Sequence, residues 1–286
     1  MAPLKYEGCT LFRQRIVAAT LSAKTLRISK IRDEDQLPGL QDFEANFLRL
    51  VEKLTDGCAI EINETGTTLR YKPGLISGGR IVHDCGTSRS IGWFIEGIIP
   101  LVLFGKEDIS ATFTGITNDA MDFSVDILRN VTLPFLRNFG VNGASLTIKK
   151  RGAAPLGGGT VEFSCPIVRQ LVPINVTDMG LIKRVRGLVF CSRISPTVIA
   201  RVVDSARGIL NNLLPDVYIH ADHYKYVSSF SFDLLLLFER FHLLTSHLSY
   251  CWSTCIPFAH LINPLHTRMP YYSSCLPPVY VALSLS

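Results

Sequence analysis

The chain has 286 residues, 47% hydrophobic and 19% charged, with 29 Lys and Arg against 24 Asp and Glu for a formal charge of +5. That apolar content excludes a disordered chain, and the length allows one large core or two modest ones. The charge falls short of the excess that marks a nucleic-acid binder by itself, and the eight unevenly spaced Cys read as reduced thiols, not a disulfide framework.

Residues 1–7 carry no apolar run of signal-peptide type, so no secretory signal is expected. Residues 11–22 place apolar side chains at helical spacing and lead into the β-branched run 25–31. After Pro38-Gly39, the residues Phe43, Phe47, Leu48, Leu50, Val51 and Leu54 form the stripe of a second helix, which Asp56-Gly57 stops. Strands at 59–63 and 68–71 flank Glu64-Thr65-Gly66, a hairpin signal. The order helix, strand, helix, strand, strand then recurs. Residues 90–104 read as an apolar helix, 109–114 as a strand, and 123–139 as a long helix halted at Gly140. Strands at 145–150 and 160–164 flank Gly157-Gly158-Gly159. Two copies of one unit predict an α/β (α+β) architecture, in which helices cover the apolar face of each sheet.

A third region differs. It begins with a strand at 187–191 and continues with a helix opened by Ser195-Pro196. The stripe of that helix is Ile199, Val202, Val203, Ala206, Ile209 and Leu210. Pro215 ends it, and a strand follows at 217–220. Composition then changes: residues 228–286 contain no Gly and no Lys, and their charges are Asp233, Glu239, Arg240 and Arg268. Turns at positive φ are hard to build without Gly, so this stretch reads as a divergent, poorly ordered tail. Its uncharged part, 241–267, holds His242, His247, His260 and His266 with Pro257 and Pro264, and no membrane span is expected. The organisation expected is a first repeat at 1–84, a second at 85–184, a partial inserted domain at 185–227 and the tail at 228–286.

Chemistry is sparser. Arg13 and Arg15 follow a Gly8-bearing turn at a helix start, where backbone N–H groups and guanidinium could hold phosphate; the alternative is that both are solvated or paired with carboxylates. Lys149, Lys150 and Arg151 form one short basic cluster, and Lys183, Arg184 and Arg186 another. Each is either solvated surface or an RNA-backbone contact. The glycines from Gly152 to Gly159 lack the Lys of a phosphate loop and read as a tight hairpin. His83-Asp84-Cys85 groups a base, an acid and a thiol, but neighbours on a chain seldom converge as catalysis requires. His247, Cys251, Cys255 and His260 approach one helical face, yet Pro257 interrupts it, so no metal site is expected.

Beyond these readings, one set of stretches belongs together: Phe12-Arg13-Gln14-Arg15, Pro38-Gly39-Leu40 with Asp42-Phe43-Glu44-Ala45, Ile60-Glu61-Ile62-Asn63 and Thr65-Gly66-Thr67-Thr68-Leu69. Others are Tyr71-Lys72-Pro73-Gly74-Leu75, Gly115-Ile116-Thr117-Asn118-Asp119, Gly157-Gly158-Gly159, Lys183-Arg184-Val185-Arg186-Gly187 and Val203-Asp204-Ser205-Ala206-Arg207. By these stretches residues 6–226 resemble the RNA 3′-terminal phosphate cyclase superfamily, in its eukaryotic cyclase-like branch. The resemblance implies three repeated α/β units with a small inserted domain; residues 187–227 look like the first part of that domain, and the rest of it and the third unit have no counterpart here. Cyclases use ATP to adenylylate a His near their C-terminus and close a 2′,3′-cyclic phosphate on RNA. That His belongs to the portion without a counterpart, so no catalytic residue, cofactor or metal is carried over. Where cyclases place a nucleotide-contacting Gln on the helix of the second repeat, this chain has Glu96.

For the cyclase-like branch the resemblance implies a non-enzymatic ribosome-biogenesis factor in the nucleus and nucleolus. Its partners would be pre-rRNA, an assembly GTPase and other components of the small-subunit processome, acting in 18S rRNA maturation. The RNA contacts expected are Arg13, Arg15, Lys149, Lys150, Arg151, Lys183, Arg184 and Arg186. The alternatives are a pre-rRNA endonuclease, a 3′-phosphate cyclase, or a truncated isoform without function.

Overall fold

A computed structural model describes residues 3–119, 121–175, 181–192, 195–224, 231–241 and 249–254. The first repeat contains β1 (Leu4–Glu7), α1 (Phe12–Leu21), β2 (Leu26–Ser29), α2 (Asp42–Leu54), β3 (Thr55–Asp56), β4 (Ala59–Ile62), β5 (Leu69–Lys72) and β6 (Leu75–Ile76). Its four-stranded sheet has the order β1-β2-β5-β4, and β3 and β6 pair beside it. β1 and β2 are parallel, joined through α1, whereas β2–β5 and β5–β4 are antiparallel. The crossover carries a helix because parallel neighbours need a long connection, and the helix covers the apolar face of the sheet. α1 buries Phe12, Ile16, Val17 and Ala19, and α2 buries Phe47, Leu48, Leu50, Val51 and Leu54, the stripe expected from periodicity except for Phe43, which is half-buried. At the start of α2, Glu44 reaches back to accept the Gln41 N–H at 3.0 Å and relieves an orphan donor.

The second repeat reproduces this plan. It contains β7 (Gly79–Asp84), α3 (Ile91–Val102), β8 (Ile109–Gly115), α4 (Val125–Ile127), a π-helical turn at Leu128–Thr132, α5 (Leu133–Asn138), β9 (Ser145–Lys150) and β10 (Gly159–Cys165). The sheet order is β7-β8-β10-β9, with β7 parallel to β8 and the other pairs antiparallel. Both repeats are therefore βαβαββ, each with one more opening strand than periodicity shows. Since β7 belongs to the second sheet, the first sheet closes at Lys72 and the second opens at Gly79, ahead of the division expected after residue 84. The long helix expected over 123–139 is interrupted. Pro134 has no N–H to donate to the preceding turn, and a π-helical turn lies immediately before α5.

One hydrophobic cluster runs through both repeats, from Ile16, Leu26 and Tyr71 to Phe94, Phe113 and Phe163. Phe43 and Phe47 meet Trp93 of α3 edge-on, with ring centroids 5.3 and 5.4 Å apart. Gly97 permits this approach, because a Cβ there would lie 2.7 Å from both Arg13 Cδ and Phe47 Cε2. β7 is an edge strand of its sheet. α2 runs beside it: Asn46 Nδ2 donates to the Asp84 carbonyl and Lys53 Nζ to the Val82 carbonyl, both at 2.9 Å.

The third sheet is built differently. β11 (Leu181–Ser192) is parallel to β12 (Asp216–Tyr224) through α6 (Pro196–Leu210), but the order is β12-β11-β13-β14. Here the first strand is central. β13 (Ser231–Phe241) and β14 (Ser249–Thr254) come from the stretch read as a poorly ordered tail, and they pair antiparallel along β11 and along each other. A ladder uses backbone groups, so unusual composition does not prevent it. β11 also begins six residues before the strand expected at 187–191, which places Lys183, Arg184 and Arg186 on a strand. A small core of Val185, Val189, Ile199, Val203, Leu210 and Ile219 lies between α6 and the sheet, whereas Ile209, expected in that stripe, is exposed. Among the described residues no helix is long and apolar enough to cross a membrane.

Candidate functional site

The candidate phosphate contacts fall at three separate places. At the start of α1, Leu11 adopts a left-handed conformation (φ 53°) after the turn at Gly8 (φ 71°). Arg13 then turns inward to α3. Its Nη2 donates to Glu96 Oε2 at 2.7 Å, its Nη1 to the Trp93 carbonyl, and its guanidinium lies 4.8 Å from the Trp93 ring centroid. Only 10% of the side chain is exposed, so Arg13 joins the two repeats. Arg15 donates to the carbonyls of Glu7 (3.2 Å) and Gly8 (2.9 Å) and covers the Tyr6 ring. No carboxylate among the described residues pairs with it.

At the end of β9, Lys149 pairs with Glu162 across the strand at 3.1 Å, and Lys150 is exposed. Arg151 behaves differently from both. It is 2% exposed and forms a bidentate pair with Asp126 at 2.6 and 2.9 Å, with Asp222 of β12 3.6 Å away. In this fold it is an interior side chain and presents no charge to an RNA backbone. On β11, Arg184 and Arg186 share one carboxylate: Arg184 Nε lies 3.1 Å from Asp216, and Arg186 grips it at 2.8 and 3.1 Å. Lys183 is exposed beside them.

Each repeat buries an acid in the first turn of its second long helix against an arginine. In the first repeat Arg32 holds Glu44 at 2.7 and 2.8 Å, which keeps the Arg32 guanidinium above its usual range. In the second, Arg151 holds Asp126. A carboxylate in the first turn is favoured by the helix dipole, and a bidentate arginine compensates its desolvation. The start of α3 is occupied by the protein itself: Asp119 Oδ2 accepts the Ser90 N–H at 3.1 Å, and its Oδ1 accepts those of Met121 and Asp122. Asp122 in turn pairs with Arg89 at 2.9 Å. Burial, with Asp119 close by, pushes the Asp122 carboxyl up to about 6 although Arg89 opposes the change. Arg89, Phe43, Gln41 and Met121 line a cleft of about 590 Å³ between the repeats.

The glycine segment is a hairpin. A Cβ on Gly152 would meet the backbones of Gly159, Gly115 and Gly157 at 2.2–2.7 Å, so the side-chain-free backbone is a steric requirement of three strands converging. His83 and Asp84 end β7 and Cys85 follows it; alternation along the strand sends His83 into the core and leaves Asp84 exposed, and Cys85 is buried. Burial pushes the His83 ring down to about 4 and the Cys85 thiol up. The three groups do not converge. No cluster of three or more potential metal ligands occurs among the described residues; His247, Cys255 and His260 lie outside them. The sequence leaves open that Arg13 meets a carboxylate but does not name Glu96, and it hides the Arg32–Glu44, Arg89–Asp122 and Arg151–Asp126 pairs, because an arginine that turns inward looks the same in sequence as one that faces solvent.

The duplicated βαβαββ core belongs to the RNA 3′-terminal phosphate cyclase family, whose model matches residues 4–262 and so extends past Tyr226, where the resemblance by motif ends. Among individual relatives, the chain is 53% identical over 224 residues to a probable RNA 3′-terminal phosphate cyclase-like protein of Dictyostelium discoideum, covering 78% of this chain and 60% of that one. It is 50% identical over 228 residues to the human RNA 3′-terminal phosphate cyclase-like protein, covering 79% and 61%. It is also 46% identical over 221 residues to an rRNA processing protein of Schizosaccharomyces pombe, covering 76% and 61%. The chain thus spans about three-fifths of the length of these relatives.

Proposed function

We propose that the chain acts in rRNA processing as a binding component, without turnover. The observation that carries this reading is its 46% identity over 221 residues to a relative named for rRNA processing. In the finer form of the proposal, it contacts pre-rRNA and an assembly GTPase of the small-subunit processome during 18S maturation, in the nucleolus. Binding is favoured over turnover by the contact between α1 and α3. Glu96 stands where the resemblance expects a nucleotide-contacting Gln, and its carboxylate engages Arg13 in place of a phosphate.

The test is incubation of the purified chain, in excess, with a 3′-phosphorylated pre-rRNA fragment, with and without ATP. Salt-sensitive binding with both RNA ends unchanged is expected. An ATP-dependent cyclic end or specific internal cleavage would overturn the absence of turnover. Failure to bind, together with aggregation, would favour the truncated isoform without function. A fluorescent fusion excluded from the nucleolus would remove the localisation.

A further inference from the structure

We propose that the outer face of the first sheet is an RNA-backbone docking surface formed by Lys5, Arg27, Arg70 and Lys72. This rests on the RNA-binding reading above and gives it a location. The strand registers place Lys5 opposite Arg27, and Arg27 opposite Arg70, in one continuous row over β1, β2 and β5. Lys72 lies two residues beyond Arg70 on the same face, and all four side chains are exposed. Adjacent strands are about 4.8 Å apart, so the row spans about 10 Å. Glu61 is the next residue in the row and pairs with Arg70 at 3.2 Å. Glu7, on the neighbouring row, is held by Lys30 at 3.1 Å. Arg27 has no carboxylate partner among the described residues.

Like charges directly opposite one another destabilise a sheet. A fold that keeps three of them in register breaks a local rule, and such departures concentrate at functional positions. The second repeat supplies an internal comparison. Its outer rows read Arg80, Ser110, Ser164, Ser145, then Val82, Thr112, Glu162, Thr147, then Asp84, Thr114, Thr160, Lys150, with no cation on the two central strands. Topology is shared, so the basic row is a property of the first repeat's sequence and not of the architecture. A cleft of about 560 Å³ lined by Arg27, Arg70, Asn63 and Thr68, with Glu61 also in its wall, adjoins the row. Asn63 is occupied in its own hairpin, accepting the Thr68 N–H at 2.8 Å and donating to Thr65 and Thr67. No aromatic side chain stands in the row, so the surface recognises charge spacing without base stacking and tolerates sequence.

The test is fluorescence anisotropy of the full chain with a labelled single-stranded RNA, over a range of KCl concentrations. The variants are Arg27→Gln with Arg70→Gln, and Arg80→Gln as the second-sheet control. Each phosphate contact adds about 0.7 to the slope of log affinity against log salt. The double variant should therefore lower the slope by roughly 1.4 and weaken binding roughly 25-fold at 0.1 M salt. Arg80→Gln should leave both unchanged. The thermal midpoint of the double variant should be equal to or above that of the parent, because a repulsion is relieved; this separates lost binding from lost folding. If the parent binds RNA and the double variant binds it identically, the surface is wrong while the RNA-binding reading stands. If the parent binds no RNA, both are wrong. Competition by polyglutamate as strong as by RNA of equal charge would assign the surface to an acidic protein and overturn the proposal.

Discussion

Replacing Arg151 with Met removes the guanidinium that neutralises Asp126. Asp126 is fully buried, and Arg151 is 2% exposed. The two bonds at 2.6 and 2.9 Å disappear, leaving the carboxylate with Arg129 at 3.3 Å as its ion partner. Breaking a buried pair from one side costs about 3–5 kcal/mol, because the remaining charge stays desolvated. At about 2–4 °C per kcal/mol for a domain of this size, the thermal midpoint should fall by roughly 10 °C. Asp126→Leu combined with Arg151→Met should recover much of the loss, since an apolar pair of similar volume is tolerated where an unpaired charge is not. The assay is thermal and urea unfolding of the parent, both single variants and the double variant. RNA affinity of the folded Arg151→Met protein should match the parent's, as the side chain reaches no surface. A midpoint shift under about 2 °C for Arg151→Met, or a double variant as unstable as the two singles added, would refute the account of the pair.

Three further outcomes follow from the same packing. The His83 ring titrates near 6.5 when unfolded and at about 4 in the fold, so protons favour the unfolded chain and stability declines as pH falls from 6.5 towards 4. The full loss is about 3 kcal/mol at about 1.4 kcal/mol per pH unit, and His83→Leu should abolish it in urea midpoints measured at pH 7 and 4.5. Asp122 acts in the opposite sense. Its carboxyl is pushed up to about 6, so its contribution grows as pH falls through 6 towards 3.8, and Asp122→Asn should make unfolding more acid-sensitive than in the parent. Gly97→Ala places a methyl group against Arg13 and Phe47 and should cost about 1–3 kcal/mol in chemical denaturation, with little effect on the far side of either sheet.

Helices α1, α2 and α3 are legible in sequence because each buries a continuous apolar stripe, and the hairpins because Gly66 and Gly157–Gly159 mark their turns. β1 escapes because it is four residues long and none of them is fully buried. β7 escapes because His83, a polar residue, occupies a core position. β13 and β14 are concealed by composition, which says nothing about backbone pairing. The site residues divide in the same way. Whether an arginine faces water depends on a carboxylate supplied by the fold: Glu96 lies 83 residues from Arg13, and Asp126 lies 25 from Arg151. The basic row of the first sheet is equally hidden. Arg27 and Arg70 each sit at an ordinary polar position of an alternating strand, and only the register sets them side by side.

The paired donors along the edge of the second sheet affect how the chain behaves towards copies of itself. Exposed strand edges invite a further strand from another molecule. Asn46 and Lys53 are two helical turns apart on α2, and they claim the carbonyls of Asp84 and Val82, which such an intruder would need first. Val82 keeps an exposed side chain, so the flank remains sticky, but its carbonyl is already engaged. Self-templated strand addition is thereby discouraged on this side by two side chains, and clipping both to Ala would turn a guarded border into a nucleus for assembly.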